Sequence, residues 1–385
     1  MNLNLLEKLN DKQREAASQI DGSILILAGA GSGKTRTITY RIAHMIENVG
    51  ISPYSILAVT FTNKAAKEMR ERVEDLVGDI AKACTISTFH SFGMRLLRMY
   101  AKEAGYNPNF TIYDTDDQKR IVKSILKGQH LSLNGVKLTE RDIVSIISKI
   151  KEEIKTLDEY SVMNKQIVEV YDKYNRALLE SNAMDFSDIL LNTYKLLQKP
   201  EILEKVQNKY KYIMIDEYQD TNNLQYKIID LIARKSSNLC VVGDENQSIY
   251  GFRGANILNI LNFESNYNDA KIIKLEENYR STTTILDAAN ELIKNNKSSK
   301  DKKLWTQNGK GDLIKVLACD NGRDEVSRII EIIKENHQNG IPYRDMTILY
   351  RTNVQSRVFE EGFLRYNIPH KVFGGISFYS RAEIK

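Results

Sequence analysis

A glycine-rich segment is the first part of the sequence whose residue types and spacing could do chemistry. Residues 28–35 read AGAGSGKT, follow an apolar run at 23–27 and open a helical stretch. Glycines at such a turn let backbone N–H groups surround phosphates, and the helix N-terminus adds partial positive charge. The pattern predicts a P-loop in which Lys34 reaches the β- and γ-phosphates of a nucleotide and the Thr35 hydroxyl binds Mg²⁺. The predicted phosphate-binding residues are Ala28, Gly29, Ala30, Gly31, Ser32, Gly33, Lys34 and Thr35, with Ala28 standing where the general pattern has glycine.

Two adjacent carboxylates supply the acidic partner that a P-loop needs. Residues 212–217 read YIMIDE, an apolar strand that ends in Asp216 and Glu217. Asp216 is predicted to hold the Mg²⁺ shell, and Glu217 to orient and deprotonate the attacking water. The alternative is that both acids are surface charge. The prediction of a nucleotide site requires Lys34, Asp216 and Glu217 to lie around one magnesium-bound triphosphate.

A kinase or a GTPase could use the same P-loop. Asn63 and Lys64 resemble the start of a guanine-reading NKxD motif, but Ala66 occupies the position of its aspartate. The segment also continues into a helix, so GTP is disfavoured.

The elements that must position these groups alternate in type. Apolar strands are predicted at 23–27, 56–60, 85–88, 212–215 and 239–242, which indicates a parallel α/β sheet. The helix after the P-loop should bury Ile38, Ile42, Met45 and Val49 on one face, and a charged helix should span 63–77. Residues 101–195 are predicted to be a helical insertion. A second α/β unit should open near Lys271, with strands at 314–318 and 347–350 and a helix between them.

Composition limits the class of protein only loosely. A chain of 385 residues with 42% apolar and 27% charged residues indicates a globular protein of two or three domains. The net charge of +5 permits a nucleic-acid partner without indicating one. Five lysines in residues 294–303 are interpreted as a solvated loop, the alternative being a binding patch. No membrane span or signal peptide is recognisable, and three scattered cysteines suggest neither disulfides nor a zinc site. We expect a cytoplasmic protein.

The acidic segment DEYQD at 216–220 resembles the DExQD box of superfamily 1 DNA helicases, specifically the UvrD/PcrA/Rep branch. Other boxes of that family occur in order along essentially the whole chain. They are residues 9–16 (LNDKQREA), 60–66 (TFTNKAA), 88–91 (TFHS), 182–188 (NAMDFSD), 242–250 (VGDENQSIY), 277–281 (ENYRS) and 350–357 (YRTNVQSR).

The resemblance implies further roles at the ATP site. Gln13 would pair with the adenine edge, and Arg36 and Tyr279 would sandwich the adenine ring. Gln247 would sense the γ-phosphate, and Arg280 would neutralise charge on the transferred phosphoryl group. The implied cofactors are ATP and Mg²⁺.

The resemblance also implies a set of single-stranded DNA contacts, because binders of unpaired strands interleave aromatic rings with polar and basic groups. The implied contacts are Phe61, Asn63, His90, Phe186, Tyr250, Phe252, Arg253, Arg351 and Asn353. Phe252 stands where much of the family has tryptophan, and Phe61 and Phe186 could instead be core aromatics.

The fold implied is a RecA-like P-loop NTPase with a parallel sheet, a helical insertion and the first half of a second RecA-like domain. The expected boundaries are 1–100 and 196–272 for the first RecA-like domain, 101–195 for the insertion, and 273–385 for the incomplete second domain. The family's TxHxxKGLE-like box and second arginine are expected beyond residues 380–385, near which the family inserts another accessory domain. The chain is therefore expected to bind ATP but hydrolyse it poorly.

The leading function is a helicase that moves 3′-to-5′ on single-stranded DNA and unwinds duplex DNA. Expected partners are single-stranded DNA, DNA junctions and repair or replication proteins, with no membrane. Two alternatives stay open: the motor part of a helicase–nuclease, and a non-hydrolysing ATP-dependent DNA-binding module.

Overall fold

The computed structural model describes residues 5–128, 130–133, 135–153, 165–297, 300 and 302–373. The chain divides into two compact units, Met1–Asp312 and Leu313–Lys385. The expectation about residues 380–385 falls outside the described residues.

A six-stranded parallel sheet organises the first unit. Its strands are β1 (Ile24–Ala28), β2 (Ile56–Thr60), β3 (Thr85–Thr88), β8 (Tyr212–Ile215), β9 (Leu239–Gly243) and β10 (Lys271–Leu275). The numbers β4 to β7 belong to two-residue strands outside this sheet, which are described with the insertion below. The spatial order is β10-β1-β9-β8-β2-β3 and every pairing is parallel. The carboxyl ends of all six strands therefore meet at one edge, the usual place for a ligand site in such sheets. The five strands predicted before residue 250 are confirmed.

The sixth strand corrects one prediction. A second α/β unit was predicted to open near Lys271, but the chain there forms β10, which pairs with β1 over its whole length, Lys271 with Ile24 through Leu275 with Ala28. The compact units divide after Asp312. Periodicity predicts that a segment is a strand, but the partner strand is chosen by long-range packing.

Both faces of the sheet are buried, as in a doubly covered parallel sheet. Leu25 and Leu27 of β1 face one apolar cluster, and Ile24 and Ile26 face the other. Helices cover the faces because their apolar residues recur at helical spacing. The helices of this unit are Asp11–Ser18, Lys34–Glu47, Asn63–Val77, Phe89–Met99, Thr115–Leu126, Glu140–Glu153, Lys165–Glu180, Phe186–Leu197, Pro200–Lys209, Asn223–Ala233, Leu258–Leu261, Phe263–Asn266 and Thr283–Ile293.

The helix after the P-loop ends earlier than predicted. Ile38, Ile42 and Met45 are buried as expected, but the helix stops at Glu47 and Val49 is 48% exposed. The N–H groups of Asn48 and Val49 both donate to the His44 carbonyl, at 3.0 and 3.1 Å, which ends the helical hydrogen-bond pattern.

The predicted helical insertion forms its own small core. Its helices Thr115–Leu126, Glu140–Glu153 and Lys165–Glu180 surround buried residues such as Val122, Ile147 and Tyr174. Its only strands within the described residues are two-residue pairs: β4 (Thr111–Ile112) with β7 (Ala183–Met184), and β5 (Ser132–Leu133) with β6 (Val136–Lys137). The helix Phe186–Leu197 begins inside the predicted insertion but packs its apolar residues into the main core instead.

The described part of the second unit is helical. Helices Gly322–Gln338 and Ser356–Arg365 pack around Val326, Ile330, Phe359 and Phe363. The predicted helix is confirmed, but the strands predicted at 314–318 and 347–350 are wrong. Both segments have no strand partner within the described residues, and Val316 and Leu349 are 92% and 91% exposed. A strand exists only through its ladder partner, which apolar composition cannot supply.

None of the helices within the described ranges combines the length and apolar character that crossing a bilayer requires.

Candidate functional site

The phosphate loop joins β1 to the helix Lys34–Glu47. Gly31 and Gly33 adopt φ of +67° and +83°, the left-handed region that glycine enters most readily. A Cβ atom on Gly31 would lie 2.6 Å from Asn278 Nδ2, and one on Gly33 would lie 2.7 Å from Gln13 Nε2. The glycines are therefore needed both for the turn and for the close approach of two neighbouring amide side chains.

The structure brings Lys34 and the acidic pair together. Lys34 Nζ lies 2.8 Å from Glu217 Oε2 and 3.4 Å from Gln247 Oε1. Lys34 and Glu217 follow the carboxyl ends of β1 and β8, and only β9 lies between these two strands in the sheet. Glu217 itself has φ of +52°, an uncommon conformation for a residue other than glycine, and this bend follows directly after the strand. A cation and a carboxylate thus meet where a triphosphate would have to lie.

Negative charge exceeds positive charge at this edge. Burial raises the pKa of Asp216 to about 6, and the adjacent Glu217 charge adds to the shift. Burial and the Glu217 charge likewise raise the pKa of Asp220 to about 6, and its Oδ1 atom has no hydrogen-bond partner among the described residues. Extra positive charge would relieve this excess, so the residues fit a divalent cation.

Asp216 and Thr35 are the residues predicted to hold Mg²⁺. Thr35 lies in the first turn of the phosphate-loop helix, and Asp216 follows β8 directly. The described residues contain no group of three His, Cys, Asp or Glu side chains that could hold a metal. Such a site suits Mg²⁺, which keeps several waters and uses one or two protein ligands together with substrate phosphates.

Gln219 is a buried residue of the DEYQD box at 216–220, and no role was predicted for it from the sequence. Its Nε2 donates to Glu217 Oε2 at 2.9 Å, and its Oε1 accepts from the Asp244 backbone N–H, also at 2.9 Å. The side chain therefore ties the end of β8 to the end of β9 and fixes the orientation of the Glu217 carboxylate. Only the tertiary pairing of the two strands shows this connection.

Gln247 reaches the site through Asp244. Its Nε2 donates to Asp244 Oδ2 at 2.6 Å, which leaves Oε1 directed at Lys34. Asp244 and the neighbouring Glu245 are both buried, and Lys302 pairs with the two carboxylates. The Lys302 side chain is 4% exposed, so the interpretation of residues 294–303 as a solvated loop is wrong for this lysine. A separation of 58 residues along the chain hides this ion pair from the sequence.

Asn278 fastens the segment 277–281 to the phosphate loop. Its Nδ2 donates to the Ala30 carbonyl at 2.6 Å, and its Oδ1 accepts the backbone N–H groups of Arg280 and Ser281. The Tyr279 N–H also donates to the Gly31 carbonyl at 3.0 Å. Arg280 is thereby held beside the loop with an exposed side chain, while the 2%-exposed Asn278 does the holding. No role was predicted for Asn278, although it lies within the box at residues 277–281.

The predicted adenine contacts lie around the same loop. Gln13 Nε2 donates to the Ser32 carbonyl at 2.9 Å, and Gln13 Oε1 accepts from the Asn10 N–H at 3.3 Å. Arg36 lies 5.3 Å over the Tyr40 ring, and the Tyr279 ring is 50% exposed. Pairing of Gln13 with adenine, and the sandwich by Arg36 and Tyr279, stay predictions.

An aromatic group follows the ends of β2 and β9. The Phe61 and Tyr250 rings stack with centroids 5.2 Å apart, and Phe252 lies 6.1 Å from Tyr250. The Arg253 guanidinium lies 5.3 Å and 5.5 Å from the Tyr250 and Phe252 ring centres. Phe252 is 74% exposed, so this group presents ring faces and a cation to solvent. Phe61 belongs to this surface group and not to the core.

A second aromatic pair follows β3. His90 and Phe186 meet edge to face at 6.3 Å, and Phe186 is 53% exposed, so it is not a core aromatic. Burial lowers the pKa of His90, so the imidazole is neutral at pH 7. Asn63 Oδ1 accepts a 3.4 Å hydrogen bond from Thr88 Oγ1 beside it.

A buried charge cluster supports the helix that begins at Phe186. Lys151 Nζ lies 2.8 Å from Asp185 Oδ2 and 2.7 Å from Asp188 Oδ1, and its side chain is fully buried. The Tyr174 hydroxyl donates to Asp185 at 3.0 Å. Asp185 and Asp188 form the capping box of the helix, so the insertion fixes the helix N-terminus through Lys151. No role was predicted for Lys151 from the sequence.

Arg351 and Asn353 belong to the second unit. Both are exposed and lie at the start of the turn before the helix Ser356–Arg365.

Two protein-family models match consecutive parts of the chain. Residues 9–268 match the UvrD/REP helicase N-terminal domain, and residues 273–385 match the UvrD-like helicase C-terminal domain. The chain belongs to the UvrD/REP helicase family. The resemblance found in the sequence boxes is thus confirmed.

Two PcrA relatives agree with this membership. The ATP-dependent DNA helicase PcrA of Staphylococcus aureus is 49% identical over 387 residues, which cover 99% of this chain and 53% of that protein. PcrA of Staphylococcus epidermidis is 48% identical over the same shares. The chain spans about half the length of these relatives. Among solved structures, the Pif1 helicase from Candida albicans is similar with a TM-score of 0.32 at 13% identity, over 87% of this chain and 55% of that chain.

Proposed function

We propose that the chain is the ATP-binding part of a DNA helicase that couples ATP hydrolysis to movement along single-stranded DNA. One observation carries the proposal: Lys34 and Glu217 lie 2.8 Å apart at the edge of the sheet where the aromatic groups also lie. The names of the PcrA relatives support the same activity.

In the proposed reaction, Glu217 accepts a proton from a water molecule as that water attacks the γ-phosphorus of ATP. The bond between the γ-phosphorus and the oxygen that bridges it to the β-phosphate breaks, and ADP and phosphate result. Bound Mg²⁺ supplies charge neutralisation on the phosphates. Lys34 holds the β- and γ-phosphates, Gln247 detects the γ-phosphate, and Arg280 offsets negative charge on the transferred group.

On the DNA side, we propose that bases of one strand stack on the exposed rings of Tyr250, Phe252 and Phe186, while Arg253 contacts a phosphate. Phe61 and His90 contact the Tyr250 and Phe186 rings from the adjacent strand ends, and together with Asn63 they are proposed as further DNA contacts. Arg351 and Asn353 are proposed contacts from the second unit. Movement in the 3′-to-5′ direction, binding at DNA junctions, and work with repair or replication proteins belong to the proposal through the family branch.

The test is hydrolysis by a Glu217→Gln variant under single-turnover conditions with single-stranded DNA. We expect the hydrolysis rate to fall by about 10²–10⁴-fold, because the amide cannot accept the proton, while a fluorescent ATP analogue still binds. Glu68→Gln, at an exposed position on the helix Asn63–Val77, is the matched control and should hydrolyse ATP like the wild type. An unchanged rate in Glu217→Gln would remove the proposed role and favour a non-hydrolysing DNA-binding module.

The helicase–nuclease alternative has its own measurement. Degradation of single-stranded DNA by the protein as the cell produces it, dependent on a divalent cation, would favour that alternative. Its absence under conditions where duplex DNA is unwound supports the helicase.

A further inference from the structure

Lys302 is a buried cation outside the residues that touch ATP in the proposed reaction. Its Nζ lies 2.8 Å from Glu245 Oε2 and also pairs with Asp244 Oδ1. The side chains of Lys302, Asp244 and Glu245 are 4%, 4% and 0% exposed. An ion pair this deeply buried is fixed in one geometry, because solvent cannot compensate for a lost partner.

The ion pair continues directly into the γ-phosphate side of the site. Asp244 uses Oδ1 for Lys302 and Oδ2 for Gln247 Nε2, the latter at 2.6 Å. Gln247 Oε1 then faces Lys34 Nζ at 3.4 Å. The chain of contacts therefore runs from Lys302 through Asp244 and Gln247 to Lys34, with one carboxylate shared between the lysine and the glutamine.

The segment that carries Lys302 is itself attached to the site at several points. The Lys300 N–H donates to Glu245 Oε1 at 3.1 Å, and the Trp305 carbonyl accepts from the Asn278 N–H at 2.7 Å. The Leu304 side chain fills the space beside Gly29, where a Cβ atom would lie 2.1 Å from Leu304 Cδ2. The segment leads along the chain toward Leu313, where the second unit begins.

We propose that Lys302 is a positioning residue for Gln247: it fixes the Asp244 carboxylate, which holds the Gln247 amide in the orientation that meets the γ-phosphate. The proposal rests on the proposed ATPase function. Without the ammonium group, two buried carboxylates would lie side by side, and Asp244 would turn away or take a proton. Either change removes the acceptor that orients Gln247, while the phosphate loop and its contacts to the nucleotide stay in place.

The experiment compares Lys302→Met, Lys302→Arg and Lys303→Met in the protein as the cell produces it. Lys303→Met is the matched control, because it removes the same charge from an exposed side chain at the next position in the sequence. The measurements are kcat and KM for ATP hydrolysis with single-stranded DNA, the Kd of a fluorescent ATP analogue, and thermal unfolding. We expect Lys302→Met to lower kcat by about tenfold or more while KM and Kd change by less than about threefold. Lys302→Arg should restore most of kcat, and Lys303→Met should match the wild type.

A double variant separates positioning from general support. Lys302→Met added to Gln247→Ala should lower kcat little further, because the two residues act as one unit. The proposal would be overturned if kcat of the double variant fell by the product of the two single effects. A kcat of Lys302→Met within about twofold of the wild type would also overturn it. If Lys302→Met does not unfold cooperatively, Lys302→Gln is compared in its place by the same criteria, because its uncharged amide cannot neutralise the Asp244 and Glu245 carboxylates. A wild-type protein that lacks ATPase activity in the form that the cell produces would instead contradict the proposed function.

Discussion

At the scale of single residues, the site depends on side chains that hold other side chains. Gln219 fixes Glu217, Asn278 fixes the segment that carries Arg280, and Asp244 fixes Gln247. Each of the three is buried, and each spans two segments that are distant in sequence. The groups proposed to touch ATP are therefore oriented before the nucleotide binds, which lowers the cost of ordering them during the reaction.

The charge state of His90 gives a prediction for DNA binding. Because burial lowers its pKa, His90 is neutral at pH 7 and cannot neutralise a phosphate, whereas Arg253 can. Arg253→Ala should lower the magnitude of the slope of log K against log salt by about 0.7. His90→Ala should weaken binding without changing the slope.

The slope is measured by fluorescence anisotropy of a labelled single-stranded oligonucleotide over a salt series at pH 7. Equal changes of slope in the two variants would show that the imidazole is charged in the complex. No change in Arg253→Ala would remove that residue from the proposed phosphate contacts.

At the scale of elements, the Lys151 cluster joins the insertion to the helix Phe186–Leu197. One cation serves two buried carboxylates, and burial raises the pKa of Asp188 accordingly. Lys151→Met leaves both carboxylates without a cation, so the free energy of unfolding should fall by roughly 3–5 kcal/mol. Single-stranded DNA should also bind more weakly, because the helix N-terminus at Phe186 loses its support.

Lys149→Met is the control for this prediction. Lys149 lies on the same helix, is exposed, and pairs with Glu153 at 3.7 Å, so its loss should cost less than about 1 kcal/mol. Urea unfolding followed by circular dichroism measures both variants. Equal stability losses in the two would show that the buried cluster contributes no more than a surface pair.

At the scale of the whole molecule, the predicted ATP residues Gln13 through Arg280 all belong to the unit Met1–Asp312. The resemblance implies that a second arginine, after a TxHxxKGLE-like box, contributes to the ATP site, and residues 1–385 contain neither that box nor that arginine. An arginine of this kind contributes about 10³–10⁵ in rate. We therefore expect residues 1–385 to bind an ATP analogue but to hydrolyse ATP slowly.

Steady-state hydrolysis with and without single-stranded DNA tests this expectation. Lys34→Ala serves as the control for nucleotide binding, because it removes the phosphate-binding cation. Fast, DNA-stimulated turnover by residues 1–385 would show that the second arginine is not required.

The sequence by itself determined the parts that depend on local pattern. The phosphate loop, the acids after β8, five of the six strands and the helix Asn63–Val77 follow from short motifs and periodicity, and the ordered boxes indicated the family. Local patterns are sufficient here because backbone conformation and the burial of one face depend on neighbouring residues.

Tertiary structure alone decided which distant segments meet. Pairing with β1 places β10 in the first sheet, and segments 314–318 and 347–350 form no strand without partners. Burial of Lys151 and Lys302 depends on carboxylates 34 and 58 residues away. The sequence does not distinguish a lysine in a solvated loop from one in a buried ion pair. The two differ in whether the ammonium group is removed from water, and only the folded chain decides this.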